Sequence, residues 1–208
     1  MSKYENMNSE FVPMNLEKII VEGEEVIWSG KPKKSAFIIN KVLTMLPIAI
    51  IWLLFDSGFI IAFLSSGESG MLWFIVPFFA LHLMPVWIWL SNVLTANKKW
   101  KNTEYAITDK RIIISSGFIG MDYQSIYYKD IENVHLKISV IDKILKVGDI
   151  YFDTTDKVKP AFLDVENAYE IYPKLQKVVL DIQTDIEFPN NLRPKENDGY
   201  NTKYNKKF

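Results

Sequence analysis

The 208-residue chain contains no cysteine, which excludes disulfides, thiolate metal sites and thiol nucleophiles together. It has two histidines, His82 and His135, too few for a histidine-rich metal cluster. No phosphate-binding glycine loop, dinucleotide fingerprint, H-E-x-x-H or G-x-S-x-G is present. An excess of one charge is missing as well. Lysine and arginine number 24 against 25 acidic residues, and from Ala96 to Phe208 the count is 18 basic to 17 acidic. No broad positive field draws nucleic acid. Nothing here points to a hydrolase, kinase or oxidoreductase, so the expectation is a non-enzyme with no metal and no cofactor. Met1–Asn15 is polar and lacks the apolar core of a cleavable signal peptide, so the first apolar segment is expected to direct its own insertion.

Two stretches are nearly without charge. Val42–Leu64 carries only Asp56, and Met71–Thr95 carries none. They span about 23 and about 25 residues, against the roughly 20 that a helix needs to cross the hydrocarbon core. Ser65–Gly70 separates them. The reading is a membrane protein with a two-helix transmembrane hairpin, residues 42–64 and 71–95, whose first partner is the lipid bilayer. Lys31, Lys33, Lys34 and Lys41 precede the hairpin and Lys98, Lys99 and Lys101 follow it, while its connection has only Glu68. Short-loop cations stay on the cytoplasmic side, which predicts a multi-pass protein of the cell membrane with both termini cytoplasmic. Trp28, Trp87, Trp89 and Trp100 fall near the inner boundary and Trp73 near the outer one, as in an aromatic belt.

Outside the hairpin the pattern is that of short strands. Residues 1–41 form a cytoplasmic segment with a short strand at 24–30, where Val26 and Trp28 alternate with Glu25 and Ile27. A lone strand of that length is not stable in water and needs a sheet from later in the chain. That sheet is expected within 100–188: Thr103–Thr108, Arg111–Ser116, Met121–Tyr128, Ile131–Val140, Gly148–Thr154 and Ala161–Val165 alternate between apolar and polar and are separated by turns. Asn167 and Glu170 have the form of a capping box. Ile171, Leu175, Val178, Val179, Ile182 and Ile186 then recur at helical spacing, with Pro173 expected to kink the helix or delay its start. Residues 189–208 are a polar tail rich in Asn and Lys, read as extended or disordered. The predicted fold is two transmembrane helices plus an all-β antiparallel barrel of six to seven strands closed by a C-terminal amphipathic helix.

Several motifs make this plan specific. They are Thr108–Arg111 (TDKR), Ser116-Gly117, Asp130–Val134 (DIENV), the apolar turn Val140–Leu145, Gly148–Ile150, and an opening at Gly23–Pro32 (GEEVIWSGKP) ahead of the hairpin. Together they resemble the bacterial pleckstrin-homology (PH)-like domain of YdbS-like membrane proteins, over roughly Gly23 to Ile186. The resemblance implies a PH-like barrel beside a two-helix membrane hairpin. Its motifs are turns and strands, so it speaks to fold more than to activity.

The candidate functional residues fall into three sets. Asp56 and His82 lie about 12 and 16 Å from the outer helix ends at 1.5 Å per residue, so they can meet inside the membrane, where ionisable groups are functional suspects. The plainer alternative ranks first: Asp56 in the headgroup region and a neutral His82 bonded to a helix carbonyl. Asn133, His135 and Lys137, with Ser139, share one face of a strand and form a possible ligand surface or a solvated one. Lys110-Arg111 occupies a position suited to an anionic headgroup, but the run looks like a tight structural turn, and the resemblance does not transfer a phosphoinositide site. Asp149, Tyr151, Asp153 and Asp156 resemble a calcium site only superficially, because alternate strand positions diverge. The expected function is a membrane-anchored binding or scaffold module that recognises a protein or peptide partner by strand addition. The alternatives are an accessory to a transport or proton-relay system using Asp56 and His82, or an anionic-lipid reader. Gly58 and Ala62 have the spacing that permits self-association.

Overall fold

Alternation in the second half of the chain builds two antiparallel sheets, seen in a computed structural model that describes residues 16, 18–67, 70, 72–155 and 159–188. The chain divides into two units, Phe37–Lys98 and Met1–Ala36 with Lys99–Phe208. In the second of these, strands β1 (Val26–Gly30), β2 (Glu104–Thr108), β3 (Arg111–Ser116) and β4 (Asp122–Tyr127) form one sheet in that order. Strands β5 (Ile131–Lys137), β6 (Val147–Thr154) and β7 (Ala161–Glu166) form the other. The β1 strand is thus completed by strands about 75 residues downstream, as a lone strand requires.

Between the sheets lies one apolar core. Tyr105, Ile107 and Ile112 enter it from one sheet, and Ile150, Phe152 and Phe162 from the other. Phe162 stacks on Tyr105 at 4.6 Å and on Trp28 at 5.7 Å between ring centroids. The Tyr105 hydroxyl donates to the Leu163 carbonyl at 3.1 Å and accepts from the Leu163 amide at 3.0 Å, tying the sheets together; burial pushes this phenol well above its ordinary pKa. Trp28 is therefore a core residue and not part of an aromatic belt. It is buried beside Ile27 because a register shift in β1 between Val26 and Trp28 interrupts the simple alternation.

The strands do not close a barrel. Pairing stops after β4, where a 3₁₀ turn (Tyr128–Asp130) leads to β5. The carbonyls of Tyr128 and Ile131 at this gap accept from the Gln183 amide at 2.9 and 2.8 Å. At the other end, the amide of Lys33, just after β1, donates to the Asp164 carbonyl of β7. Asp164 has a positive φ of 55° and its amide bonds to Asp149 Oδ1, so β7 is diverted locally from its ladder.

Helix α5 (Ala168–Glu187), numbered last in the chain, packs Leu175, Val178, Val179 and Ile182 into the core. The expected Asn167 capping box is absent: Asn167 is left-handed, with φ 53°, and its side chain makes no cap bond. Pro173 neither delays the start nor ends the helix, which runs from Ala168 through it. Ile186 is exposed instead of joining the stripe. A capping box does form at Ser139 and Asp142, opening the short helix α4 (Val140–Leu145). For this reason β5 ends at Lys137 and not at Val140. A bulge between Ile131 and Asn133 explains how Ile131 and Val134, three apart, both face inward.

The other unit is helical. Helix α1 (Lys34–Ser65) has 32 residues, and only 11% of its most apolar window is buried. A core helix would be mostly covered; this one is long and apolar enough to cross a membrane. The second apolar segment is not one helix. It breaks at Leu83 into α2 (Leu72–His82) and α3 (Met84–Lys101), bent by 54°, and counts as a second span only if the bent pair is taken as one. The cause is Pro85, which has no amide to give the Leu81 carbonyl and whose ring crowds it.

Candidate functional site

The break in the second apolar segment creates a polar cluster in the helical unit. At Leu83 the ladder tightens, with the Val86 amide bonding to the Leu83 carbonyl at 2.9 Å. The His82 carbonyl instead accepts from Trp52 Nε1 of α1 at 2.8 Å, and the Ala80 carbonyl accepts from Trp87 Nε1 at 2.9 Å. In an apolar medium such freed groups must find partners. The same geometry brings the His82 ring to Asp56: Nδ1 lies 2.9 Å from Oδ1 and 3.2 Å from Oδ2. Asp56 is 1% exposed on a helix where Phe55 is 59% and Leu54 67% exposed. Phe78 stacks on His82 at 5.3 Å, and Trp52, Phe55 and Phe79 stand around it at 5.6, 6.5 and 6.3 Å. The two residues that the sequence singled out therefore meet, with aromatic rings packed around the imidazole.

On the outer face of the second sheet, pairing of β5 with β6 sets Asn133 opposite Asp153, His135 opposite Tyr151 and Lys137 opposite Asp149. His135 Nδ1 is 3.0 Å from Asp153 Oδ2, and its ring stacks on Tyr151 at 5.2 Å and 10°. Lys159 reaches Asp153 Oδ1 at 3.2 Å; Lys159 and His135 hold the Asp153 carboxyl below its ordinary value. Burial pushes Asp149 up, although the Asp164 amide opposes this. Asp149 and Asp153 are thus turned to different partners, and Asp156 lies outside the described residues. Such a face is laced by cross-strand pairs more than it is open.

The Lys110-Arg111 turn is also engaged. Arg111 Nε and Nη2 grip the two oxygens of Glu24, each at 3.1 Å, while Nη2 also donates to the Ile19 carbonyl at 2.8 Å and Nη1 to Ser125 Oγ at 3.0 Å. Thr108 Oγ1 donates to Glu24 Oε1 at 2.7 Å. Burial acts to raise the Glu24 carboxyl, but the bonds from Arg111, Val21 and Thr108 outweigh it and leave it below its ordinary value. The bond to Glu24 raises Arg111 further. This clamp fastens the 19–24 segment to the sheet, and Leu16 beside it packs on Ala106 and Ile113.

One feature escaped the sequence. Between β5 and α5 runs a groove of about 370 Å³ lined by Ile131, Glu132, Val134, Pro173, Lys177 and Leu180, among others. Part of its strand edge is capped, since Val134 and Ile131 offer their carbonyls to the Tyr172 hydroxyl and Gln183 amide. Leu180 was the available signal: it is an apolar residue off the buried stripe of α5, and it is 57% exposed.

With this geometry in view, the profile of the family described as "Bacterial PH domain" matches residues 38–179, a span that takes in the helical unit, β2 to β7 and most of α5. Comparison with curated proteins gives no match. Among solved structures, the chain is similar to a DUF1696 family protein with a pleckstrin-homology domain from Shewanella loihica PV-4. The identity is 13%, over 35% of this chain and 67% of that one, with a TM-score of 0.27. At that level the family match alone carries the assignment.

Proposed function

This chain belongs to the bacterial PH domain family, and we propose that it is a membrane-anchored binding or scaffold module, not an enzyme, that recognises a protein or peptide partner. The observation that carries the reading is the groove between β5 and α5. It is lined by the apolar Ile131, Val134 and Leu180 together with the charged Glu132 and Lys177, a mixture suited to anchoring one or two apolar side chains beside polar contacts. With two edge carbonyls of β5 already capped, the partner inserts side chains here instead of extending the ladder at those positions. The Asn133, His135 and Lys137 face flanks the same strand and supplies polar contacts.

In this reading α1 and the bent α2–α3 pair form the YdbS-like hairpin, and the PH domain and both termini lie in the cytoplasm. The lysines around the helices and the absence of Lys or Arg from the connection support that orientation. Alkaline extraction of membranes, with protease added from either side, tests it. The chain is expected to stay with the pellet and to lose its termini only to protease on the cytoplasmic side. Quantitative co-purification from detergent-solubilised membranes, wild type against Leu180→Asp, tests the groove. A partner retained by Leu180→Asp would contradict it.

A second reading rests on the 2.9 Å contact between His82 and Asp56. Here the pair serves a proton relay in a transport assembly. Replacing either residue would then abolish transport while leaving partner binding intact.

A further inference from the structure

Two apolar tips on the PH domain stand out by exposure. Ile119, in the loop between β3 and β4, is 91% exposed, and on the one-and-a-half-turn helix α4 Val140 and Ile144 are 79% and 76% exposed. Val140 and Ile144 are four apart and share one face of the helix. Lys143 and Lys146 are exposed beside them, and neither has an ion-pair partner among the described residues. Solvent alone gives no reason to leave three large aliphatic side chains at the ends of otherwise well-packed elements.

Their placement gives one. Lys33, the residue before α1, extends its Nζ to the Leu145 carbonyl at the end of α4, at 3.1 Å. Asn102, the residue after α3, donates through Nδ2 to the Gly117 carbonyl at the base of the β3–β4 loop, at 3.3 Å. Lys31 Nζ joins these points by donating to the Lys101 carbonyl at 2.9 Å. Both tips are therefore bonded to the two places where the chain leaves the domain for its apolar helices. Gly117 holds the loop in its turn: its φ is 153°, and an added Cβ would lie 2.0 Å from the Gly120 carbonyl oxygen.

We propose that Ile119 of the β3–β4 loop and Val140 and Ile144 of α4 insert into the interfacial layer of the membrane to which α1 anchors the chain, with Lys143 and Lys146 against anionic headgroups. The occupant is the bilayer surface. Apolar tips with adjacent lysines are the composition that such an interface accepts. The inference rests on the anchored reading above. It assigns lipid contact to the end of β3 opposite the Lys110-Arg111 turn, about 17 Å away along five residue steps of 3.3–3.4 Å.

The absence of cysteine makes the test clean. Single variants Ile119→Cys, Ile144→Cys and Lys110→Cys of the full chain are labelled with an environment-sensitive fluorophore and reconstituted in phosphatidylcholine vesicles containing about 30% phosphatidylglycerol. Quenching by lipids spin-labelled near the headgroup is then measured. The expected result is about threefold stronger quenching at 119 and 144 than at 110, with the difference shrinking when Lys143 and Lys146 are both replaced by Glu. Quenching at 110 alone, or equal weak quenching at all three sites in protein that resists alkaline extraction, would overturn the inference and leave the anchor standing. Protein that extracts at alkaline pH would overturn both.

Discussion

His82 Nδ1 of α2 lies 2.9 Å from Asp56 Oδ1 of α1. The contact exists because Pro85 ends α2 at His82 and Trp52 takes the freed His82 carbonyl. Each partner makes the other tolerable: without His82, Asp56 loses this hydrogen-bond partner while only 1% exposed. His82→Leu and Asp56→Asn should each destabilise the helical unit, and the double variant should cost less than the two losses added. The coupling expected from a double-mutant cycle is about 1 kcal/mol, read from unfolding in mixed micelles. Simple additivity would make the contact incidental.

Gly58 has open space around it, since a Cβ added there would meet nothing within 4 Å, and Ala62 one turn on is also exposed. Gly58→Leu should leave the monomer's thermal stability within about 0.5 kcal/mol. If the chain self-associates through this small-residue face, the same change should abolish the dimer on chemical crosslinking in membranes.

The Glu24–Arg111 clamp should govern acid stability. The Glu24 carboxyl is held below its ordinary value in the folded chain, and near 4.3 when unfolded. Its contribution is therefore fully present above the unfolded value and is lost as pH falls through the folded one. Arg111→Met leaves a buried carboxylate without its main partner and should destabilise the PH domain by about 3 kcal/mol at neutral pH. It should also flatten the acid limb of a stability profile taken from about pH 3 to 7. An unchanged profile would show that the clamp is ornamental.

Gln183, half-buried on α5, should matter to the gap between the sheets. Gln183→Leu deprives the Tyr128 and Ile131 carbonyls of a shared donor and should cost about 1–2 kcal/mol. Hydrogen exchange is expected to rise in β4 and β5 before it rises in β6.

Much of this architecture was legible because period and punctuation agree. Arg111–Ser116 alternates cleanly between turns and is β3 to the residue, and the apolar spacing of Leu175, Val178 and Ile182 is the buried stripe of α5. What could not be read depended on contacts distant in sequence. The bulges in β1 and β5, the diversion at Asp164 and the gap filled by Gln183 turn an expected barrel into two sheets. Pro85 was visible in the sequence, yet its effect on a long apolar run was masked by composition. Asp56 and His82 were legible as a pair because any ionisable group stands out in such segments. The groove was not, because it exists only where β5 meets α5, and Leu180 alone signals it.

Photocrosslinking in native membranes tests the central claim most directly, with a photoreactive residue placed at Leu180 in the groove and, separately, at His135 on the sheet face. The account predicts a discrete protein adduct from position 180 that is lost when Lys177 and Glu132 are reversed in charge, and a weaker or absent one from position 135. Lipid adducts alone from both positions, or a protein adduct indifferent to the groove residues, would contradict it.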